Sequence, residues 1–333
     1  MPEELQSITA QELLLKPMKP RSWIIQDFLP TGETVLAGTP KVGKSWLVFD
    51  LALCVSKGEP FFGHETNEAG VLYLCLEDTY NRVQQRLFLL TETANDNLHF
   101  VRSSEGLQSG LLDQLEMFVS RFPETRLIIV DTLQMIRGNG SADNSNSYAS
   151  DYSDMRSIKQ FADEKDIALV LVHHTRKMRD PFNVFNDVSG TNGIMGSADE
   201  TMILWKSNFF DDKATLSITG RDVSLAEYKL LLKDFRWTLV EVSGRDAIEE
   251  RATPDAVLSV LEFMKNKEGG WEGTAGQLLT EAGLSESQIK GNILSKQLNQ
   301  YSAFLASRGL VYDTHRTSNA RIITLTKTAP EEK

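Results

Sequence analysis

The sequence predicts an α/β protein in which a mostly parallel sheet carries antiparallel strands at one edge and is followed by a smaller α+β unit. Three observations predict it. Stretches apolar throughout, such as Leu127-Ile-Ile-Val130 and Ile167-Ala-Leu-Val-Leu-Val172, alternate with helical runs from about residue 31 to 243; such strands belong to parallel sheets covered on both faces. A Gly- and Lys-bearing turn, Gly38-Thr-Pro-Lys-Val-Gly43-Lys44-Ser45, separates the first of these strands from the first long helix. Beyond residue 245 the texture changes to helix-capping signals and a terminal pair of strands.

Taken in order, Thr9-Ala-Gln-Glu12 is a capping box that opens a short helix from Ala10 to about Leu15, and Lys16-Pro-Met-Lys-Pro20 ends it. Residues 1–30 thus read as an N-terminal arm and lead-in. In the core, residues 31–244, strands are expected at 34–38, 70–76, 98–102, 126–131 and 167–173. Helices are expected near 44–57, 79–93, 108–122 and 150–165. Shorter strands at about 200–206, 214–219, 227–232 and 236–242 follow one another without helices and read as antiparallel additions to one edge. Two long segments, 137–151 and 175–196, are rich in Gly, Asn, Asp and Ser. Each follows an apolar strand, at the carboxyl edge where open parallel sheets bind ligands.

In the tail, Thr253-Pro254 gives an N-cap with proline at the first helical position. Two more capping boxes stand at Thr274-Ala-Gly-Gln277 and Ser285-Glu-Ser-Gln288. Helices are expected at about 254–266, 275–282 and 286–308, followed by a hairpin. Three helices and a hairpin give residues 250–329 the plan of a winged helix.

Composition narrows the function. Of 333 residues, 41% are hydrophobic and 24% charged, the balance of an ordinary globular chain. The net charge of −11 excludes a protein that coats nucleic acid with an open basic surface. Residues 1–244 carry 24 Lys and Arg against 34 Asp and Glu, and residues 245–333 carry 11 against 12. Contact with DNA is therefore expected to be local. No apolar run reaches 18 residues, the first residues lack a basic region leading into an apolar core, and neither a membrane span nor a secretory signal is expected. Cys54 and Cys75 lie in apolar runs without ligand spacing and read as buried thiols of a cytoplasmic protein.

The turn at residues 38–45 matches the phosphate-loop pattern in full. Its glycines let backbone N–H groups converge on phosphate oxygens, and the following helix offers its positive end. Gly38, Thr39, Pro40, Lys41, Val42, Gly43, Lys44, Ser45 and Trp46 are the expected nucleotide-binding residues, with Lys44 on the β- and γ-phosphates. Ser45 and Asp131, the latter closing the apolar strand Arg126-Leu-Ile-Ile-Val-Asp131, are the expected Mg²⁺ ligands. Glu77 and Asp78 close another strand. Glu77 is the candidate base that would deprotonate water, and Asp78 the candidate cap of the next helix. His173 and His174 close a fifth strand. Without a third ligand nearby the pair fits a γ-phosphate sensor better than a metal site; either histidine is open to that role, with His174 taken as the candidate.

With these strand ends in place, the core resembles the RecA-like ATPases of the hexameric replicative helicase group, nearest to the RepA-type helicases of plasmids and phages, the AAA_25 sort. The motifs that carry the likeness are PRSWIIQDFLPTGETVLAGTPKVGKS, VLYLCLED, LIIVDTLQMIRG, LVLVHHTRK and SGTNGIMGSADETMILWK, within roughly residues 10–242. The resemblance implies ATP and Mg²⁺ as cofactors, Glu77 as catalytic base and Asp131 as the Mg²⁺-supporting acid. It further implies a homo-oligomer, hexameric in the group, with single-stranded DNA in a channel lined by the two long loops, and a replication-initiation or primase protein as a further partner. The channel charges would be Arg137 in one loop, and Arg176, Lys177 and Arg179 against Asp180 and Asp187 in the other. One departure stands out. Where such helicases carry an arginine that reaches a neighbour's γ-phosphate, residues 199–206 contain none. Arg221 is the substitute, with Lys206 and Arg176 behind it. The tail, with WEGTAGQLL and KGNILSKQLNQYSAFLASRGLVYDTHRTSNARIITL, resembles the small C-terminal domain of phage and mobile-element members. Lys290, Lys296, His315, Arg316 and Arg321 are its candidate DNA contacts. The expected function is an ATP-driven motor on single-stranded DNA, a replicative helicase of a phage, prophage or plasmid. The alternative is an ATP-gated DNA-binding or loading protein that hydrolyses slowly.

Overall fold

The computed structural model describes residues 7–18, 20–137, 147–176, 183–188, 192–208, 210–285, 287–317 and 320–328. The chain divides into two compact units, residues 1–242 and 243–333.

The first unit is built on strands β1 (Gly32–Gly38), β2 (Gly70–Cys75), β3 (Leu98–Val101), β4 (Thr125–Asp131), β5 (Ala168–His174), β6 (Glu200–Trp205), β7 (Lys213–Gly220), β8 (Ala226–Lys233) and β9 (Arg236–Gly244). They form a single sheet in the order β9-β8-β7-β6-β1-β5-β4-β2-β3. The six strands from β6 to β3 are parallel, whereas β7 runs antiparallel to β6 and to β8. The expectation of four antiparallel edge strands is therefore corrected at its first member. The segment between β5 and β6 carries the chain back to the amino end of the sheet, so β6 pairs parallel with β1, Thr34 opposite Glu200.

Alternation along each parallel strand sorts the core into two layers. Leu36, Val71, Tyr73, Ile129 and Val170 face helices α1 (Lys44–Lys57) and α2 (Tyr80–Leu90). Val35, Leu72, Ile128 and Leu169 face helices α3 (Leu111–Arg121) and α4 (Ser147–Lys165) on the other side. Covering both faces is what lets these strands be apolar throughout. Near the amino terminus, Thr9 caps the helix Ala10–Leu15 by accepting the Glu12 N–H, while the Glu12 carboxylate accepts the Thr9 N–H at 2.9 Å.

The second unit contains α5 (Arg245–Ala252), α6 (Asp255–Lys265), β10 (Trp271–Thr274), α7 (Ala275–Glu281), α8 (Gly291–Gln300), α9 (Ser302–Ser307), β11 (Leu310–Arg316) and β12 (Arg321–Lys327). Its core gathers Val257, Val260, Leu278, Leu294, Leu298, Leu305, Ile323 and Leu325. The small sheet is antiparallel in the order β10-β12-β11. Several details depart from the sequence reading, among them that Pro254 and not Thr253 stands at the cap position of α6, without a side-chain cap bond. Residues 245–252, to which the sequence reading assigned no element, are helical without burying a single side chain, and Arg245 reaches Glu249 one turn on at 2.8 Å. At Ser285 the Gln288 side chain does accept the Ser285 N–H at 2.8 Å. That box closes only a turn, and the helix begins at Gly291. The long third helix is interrupted at Tyr301, giving α8 and α9.

Candidate functional site

The parallel strands deliver their carboxyl ends to one edge. Gly38, the last residue of β1, lies opposite His174 at the end of β5, and Cys75 of β2 lies opposite Asp131 at the end of β4. Glu77 follows β2 by two residues. Of the sequence candidates, Glu77, Asp131 and His174 are thus brought together by sheet register, and Lys44 and Ser45 join them at the start of α1, after the loop that follows β1.

The loop at residues 38–45 could not be built from other residue types. Gly43 has φ +107°, and a Cβ there would stand 2.8 Å from the Trp237 ring; a Cβ on Gly38 would stand 2.5 Å from the Leu204 carbonyl oxygen. Lys44, 5% exposed, points back into the loop. Its Nζ donates to the Gly38 carbonyl at 2.8 Å and the Thr39 carbonyl at 3.2 Å, and lies 3.5 Å from His174 Nδ1. Burial pulls its pKa down to about 8, with Asp131 and Glu77 opposing the shift. A buried ammonium held by neutral carbonyls is suited to an anion. His174 is shifted below the usual histidine value, by burial first and then by repulsion from Lys44.

Asp131 is buried, and burial raises its pKa despite hydrogen bonds from Ser45 and Tyr73. The Tyr73 hydroxyl donates to Asp131 Oδ2 at 3.0 Å, and the Thr132 hydroxyl donates to Glu77 Oε1 at 3.0 Å. Ser45, Glu77 and Asp131 line a cleft of about 160 Å³ together with Cys75, Asp78, Arg82 and Arg86. The hydroxyl and carboxylate pair of Ser45 and Asp131 is a hard-oxygen donor set of the kind Mg²⁺ takes with a phosphate loop. Among the described residues no group of three or more His, Cys, Asp or Glu converges as a metal cluster.

One expectation here is corrected. Asp78 does not cap α2; Thr79 does, accepting the Arg82 N–H. Asp78 instead pairs with Arg82 at 3.0 Å and with Arg86. Two guanidiniums within reach outcompete a lone helix N–H for this carboxylate.

Sequence reasoning missed the residues that buttress the loop. The turn between β8 and β9, with Asp234 and Phe235 both at positive φ, folds over the start of α1. Trp237, 2% exposed, donates its indole N–H to the Gly43 carbonyl at 3.1 Å. Arg236 pairs with Asp50 of α1 at 2.9 Å. Phe235 packs tilted against Trp46 with ring centroids 4.9 Å apart, and Arg86 lies 5.3 Å over the same indole. Lys206 sits 5.5 Å from the Trp237 ring centroid. Trp46, expected from its place after Ser45, is therefore part of an aromatic shelf beside the loop. Tyr73 was legible only as a polar-tipped residue inside an apolar strand.

Arg221 lies elsewhere. Strand β7 runs antiparallel to β6 and pairs Gly220 with Glu200, which returns the chain to the amino edge of the sheet. There the Arg221 guanidinium, 57% exposed, stands 3.3 Å from Asp199 Oδ1. Lys159 and Arg21 meet the same carboxylate. Burial alone would raise the Asp199 pKa, yet Lys159, the Glu33 backbone N–H and Arg21 bring it below the usual value. Buried Glu33 beside it is pushed well above its ordinary value, by burial first and by Asp199 second. Of the two long loops, residues 138–146, 177–182 and 189–191, and with them Lys177, Arg179 and Asp180, lie outside the described residues. Arg137 is bound to Asp154 at 3.2 Å, and the Arg176 N–H donates to the Asp187 carbonyl at 2.6 Å.

Residues 1–180 match the AAA_25 family, described as an AAA domain, and the chain belongs to that family. Residues 256–333 match the AICE RepA C-terminal domain. No curated protein matches the chain. Among solved structures it is similar to a DnaB-like replicative helicase whose structure was described with its interactions with primase. The TM-score is 0.52 at 15% identity, over 63% of this chain and 57% of that one. It is also similar to the KaiC-like protein PH0186 of Pyrococcus horikoshii OT3, with TM-score 0.48 and 10% identity, over 66% of this chain and 94% of that one. The chain thus spans little more than half of the helicase it resembles, and that likeness shows a shared RecA-like fold. No helix among the described residues is long and apolar enough to cross a membrane.

Proposed function

We propose that this protein is an ATP hydrolase that assembles as a ring of identical subunits and moves along single-stranded DNA, a replicative helicase of a phage, prophage or plasmid. The observation that carries the reading is the convergence of Lys44, Ser45, Glu77, Asp131 and His174 on one sheet edge. Both long loops leave from that same edge. The fold shared with a DnaB-like replicative helicase supports a role on DNA, and the primase in that structure's description suggests a partner of the same kind.

Bound Mg²⁺ would neutralise charge on the β- and γ-phosphate oxygens. Ser45 and Asp131 would hold it, with Tyr73 fixing the Asp131 carboxylate. Lys44, protonated at neutral pH with a pKa of about 8, would exchange the Gly38 and Thr39 carbonyls for phosphate. Glu77, oriented by the Thr132 hydroxyl, would take the proton of the attacking water. His174, in contact with Lys44 and followed directly by the second loop, would pass the change at the phosphate to the DNA. In a sixfold ring a few loop cations per subunit add up to a cationic channel, which an acidic exterior does not contradict.

The second reading, an ATP-gated DNA-binding or loading protein with slow hydrolysis, is favoured by one observation: Arg221 is tied to its own subunit's Asp199. Two experiments decide. Glu77→Gln should bind ATP yet lose about 10²–10⁴-fold in turnover. Single-stranded DNA should stimulate wild-type hydrolysis. If neither single-stranded DNA nor Arg221→Ala changes the rate, the motor reading fails.

A further inference from the structure

The C-terminal unit carries charge that its near-neutral total conceals. Between residues 287 and 328 the sequence has six Lys and Arg (Lys290, Lys296, Arg308, Arg316, Arg321 and Lys327) against one acid, Asp313. Two of the six are used internally: Arg308 faces Asp246 at 3.7 Å, and Lys327 donates to the carbonyls of Lys265 and Lys267. Three of the remainder, Lys296, Arg316 and Arg321, line a single groove of about 860 Å³ between α8 and the β11–β12 hairpin. No carboxylate lines it, and none of the three has a carboxylate partner among the described residues.

The groove is built by two periodicities. Asn292, Ser295, Lys296 and Asn299 form one stripe of α8 at helical spacing, and Tyr312, Thr314 and Arg316 form one face of β11 at strand spacing. Asp313, one step along that strand, belongs to the opposite face. The Tyr312 hydroxyl donates to the Ser295 carbonyl at 3.2 Å and ties the two walls together. Arg316 and Arg321 are directly paired across the hairpin, at the foot of its turn. Like charges in that register oppose each other and cost the hairpin stability. Nothing among the described residues of the unit offsets that cost, whereas an anion lying in the groove would.

We propose that this groove binds the phosphodiester backbone of duplex DNA, as a site separate from the ATPase core. Phosphate oxygens match the lining, which offers cations together with amide and hydroxyl donors from α8 and the hairpin. A protein segment would need an apolar anchor pocket, and the apolar members of the lining are small, Ala275 and Ala320, beside a Tyr312 ring held by its own hydrogen bond. A single strand would need a series of free aromatic faces on which bases stack, and the groove presents the Tyr312 ring alone, tied by its hydroxyl to α8. Duplex backbone is the remaining polyanion.

The test uses the full-length chain without nucleotide, a labelled 20-base-pair duplex and a labelled single strand of the same length, read by anisotropy over a salt series. Removing the three cations as K296A/R316A/R321A should weaken duplex binding at least tenfold at low salt. It should also flatten the dependence of log affinity on log salt by about one unit for each phosphate no longer neutralised. Lys265→Ala, a cation outside the groove, should change neither. The melting temperature should hold or rise on Arg316→Ala, because a repulsive pair is relieved; a drop would assign the arginine to the fold instead. Unchanged duplex affinity in the triple variant overturns the proposal. So does equal weakening on the single strand, or competition by polyglutamate as effective as by duplex at equal charge. Hydrolysis stimulated by single-stranded DNA is measured in parallel, so failure of the motor reading leaves this result standing, and the reverse.

Discussion

Replacing Trp237 by Phe should weaken nucleotide binding without touching any residue of the phosphate loop. The indole meets Gly43 twice: its N–H donates to the carbonyl at 3.1 Å, and its ring lies 2.8 Å from where a Cβ on Gly43 would stand. The Gly43 carbonyl also accepts the Leu47 N–H at 3.1 Å, so the substitution leaves it with the first helical bond of α1 alone. One neutral hydrogen bond contributes about 1 kcal/mol net, and the smaller ring opens a gap beside a loop that must keep φ +107° at Gly43. If that 1 kcal/mol goes into holding the loop ready for phosphate, affinity for an ATP analogue with Mg²⁺ should fall about fivefold. Calorimetric titration measures it. The control is Trp271→Phe, which removes another buried indole, one bonded to Glu281 at 3.0 Å in the C-terminal unit. It should lower stability and leave nucleotide affinity unchanged. The reasoning is refuted if both variants lower the melting temperature alike and neither changes affinity, because Trp237 would then only fill the core.

Two further predictions follow from buried polar groups. Tyr73→Phe keeps the packing against Phe49 and Phe100 and removes the donor to Asp131. The Mg²⁺ concentration for half-maximal hydrolysis should rise about tenfold, and a metal dependence identical to wild type would reduce Tyr73 to a packing role. Asp50 has its pKa raised to about 6, by burial first, with Arg236 opposing. The folded state therefore holds this proton more tightly than the unfolded state. The contribution is most favourable below pH about 4 and is lost as pH rises through about 6, on the order of 3 kcal/mol across that window. Asp50→Asn should flatten the urea-unfolding free energy between pH 4 and 7; an unchanged slope would show that Asp50 does not titrate there.

Apart from Lys44, Ser45 and Trp46, found through the phosphate-loop motif, the parts of the site that the sequence revealed share one property: each lies within two residues of the end of an apolar strand. In a parallel sheet every strand delivers its carboxyl end to the same edge, so finding Gly38, Glu77, Asp131 and His174 after such strands was enough to gather them. The buttress could not be found that way. Trp237 reaches Gly43 from 194 residues away, and no local period encodes which strand of an edge hairpin curls over the first helix. The same limit explains β6. No helix separates it from β7, and only the return of the chain to the amino end makes it parallel. At the start of α2 the sequence reading took Asp78 for the cap, and arginines one and two turns ahead on the helix hold that carboxylate and leave the cap to Thr79.

Arg221 makes the same point about direction, and about what a ring requires. An antiparallel strand returns its end to the amino edge, so Arg221 stands opposite its own phosphate loop, while Lys206, at the end of parallel β6, stands beside the Trp237 indole. A residue serving a neighbour's nucleotide need not lie at its own subunit's nucleotide edge; it must lie on the surface that meets the neighbour. Mixing two inactive variants tests this. A Glu77→Gln subunit keeps Arg221, and an Arg221→Ala subunit keeps Glu77. If the arginine acts across the junction, junctions pairing an intact Glu77 with an intact Arg221 regain activity, roughly a quarter of all junctions in an equal random mixture. Since an arginine supplied in trans is worth about 10³–10⁵ in rate, even that fraction stands far above either variant alone. No recovery on mixing would remove Arg221 from the reaction, and recovery with Lys206→Ala in its place would move the role to Lys206.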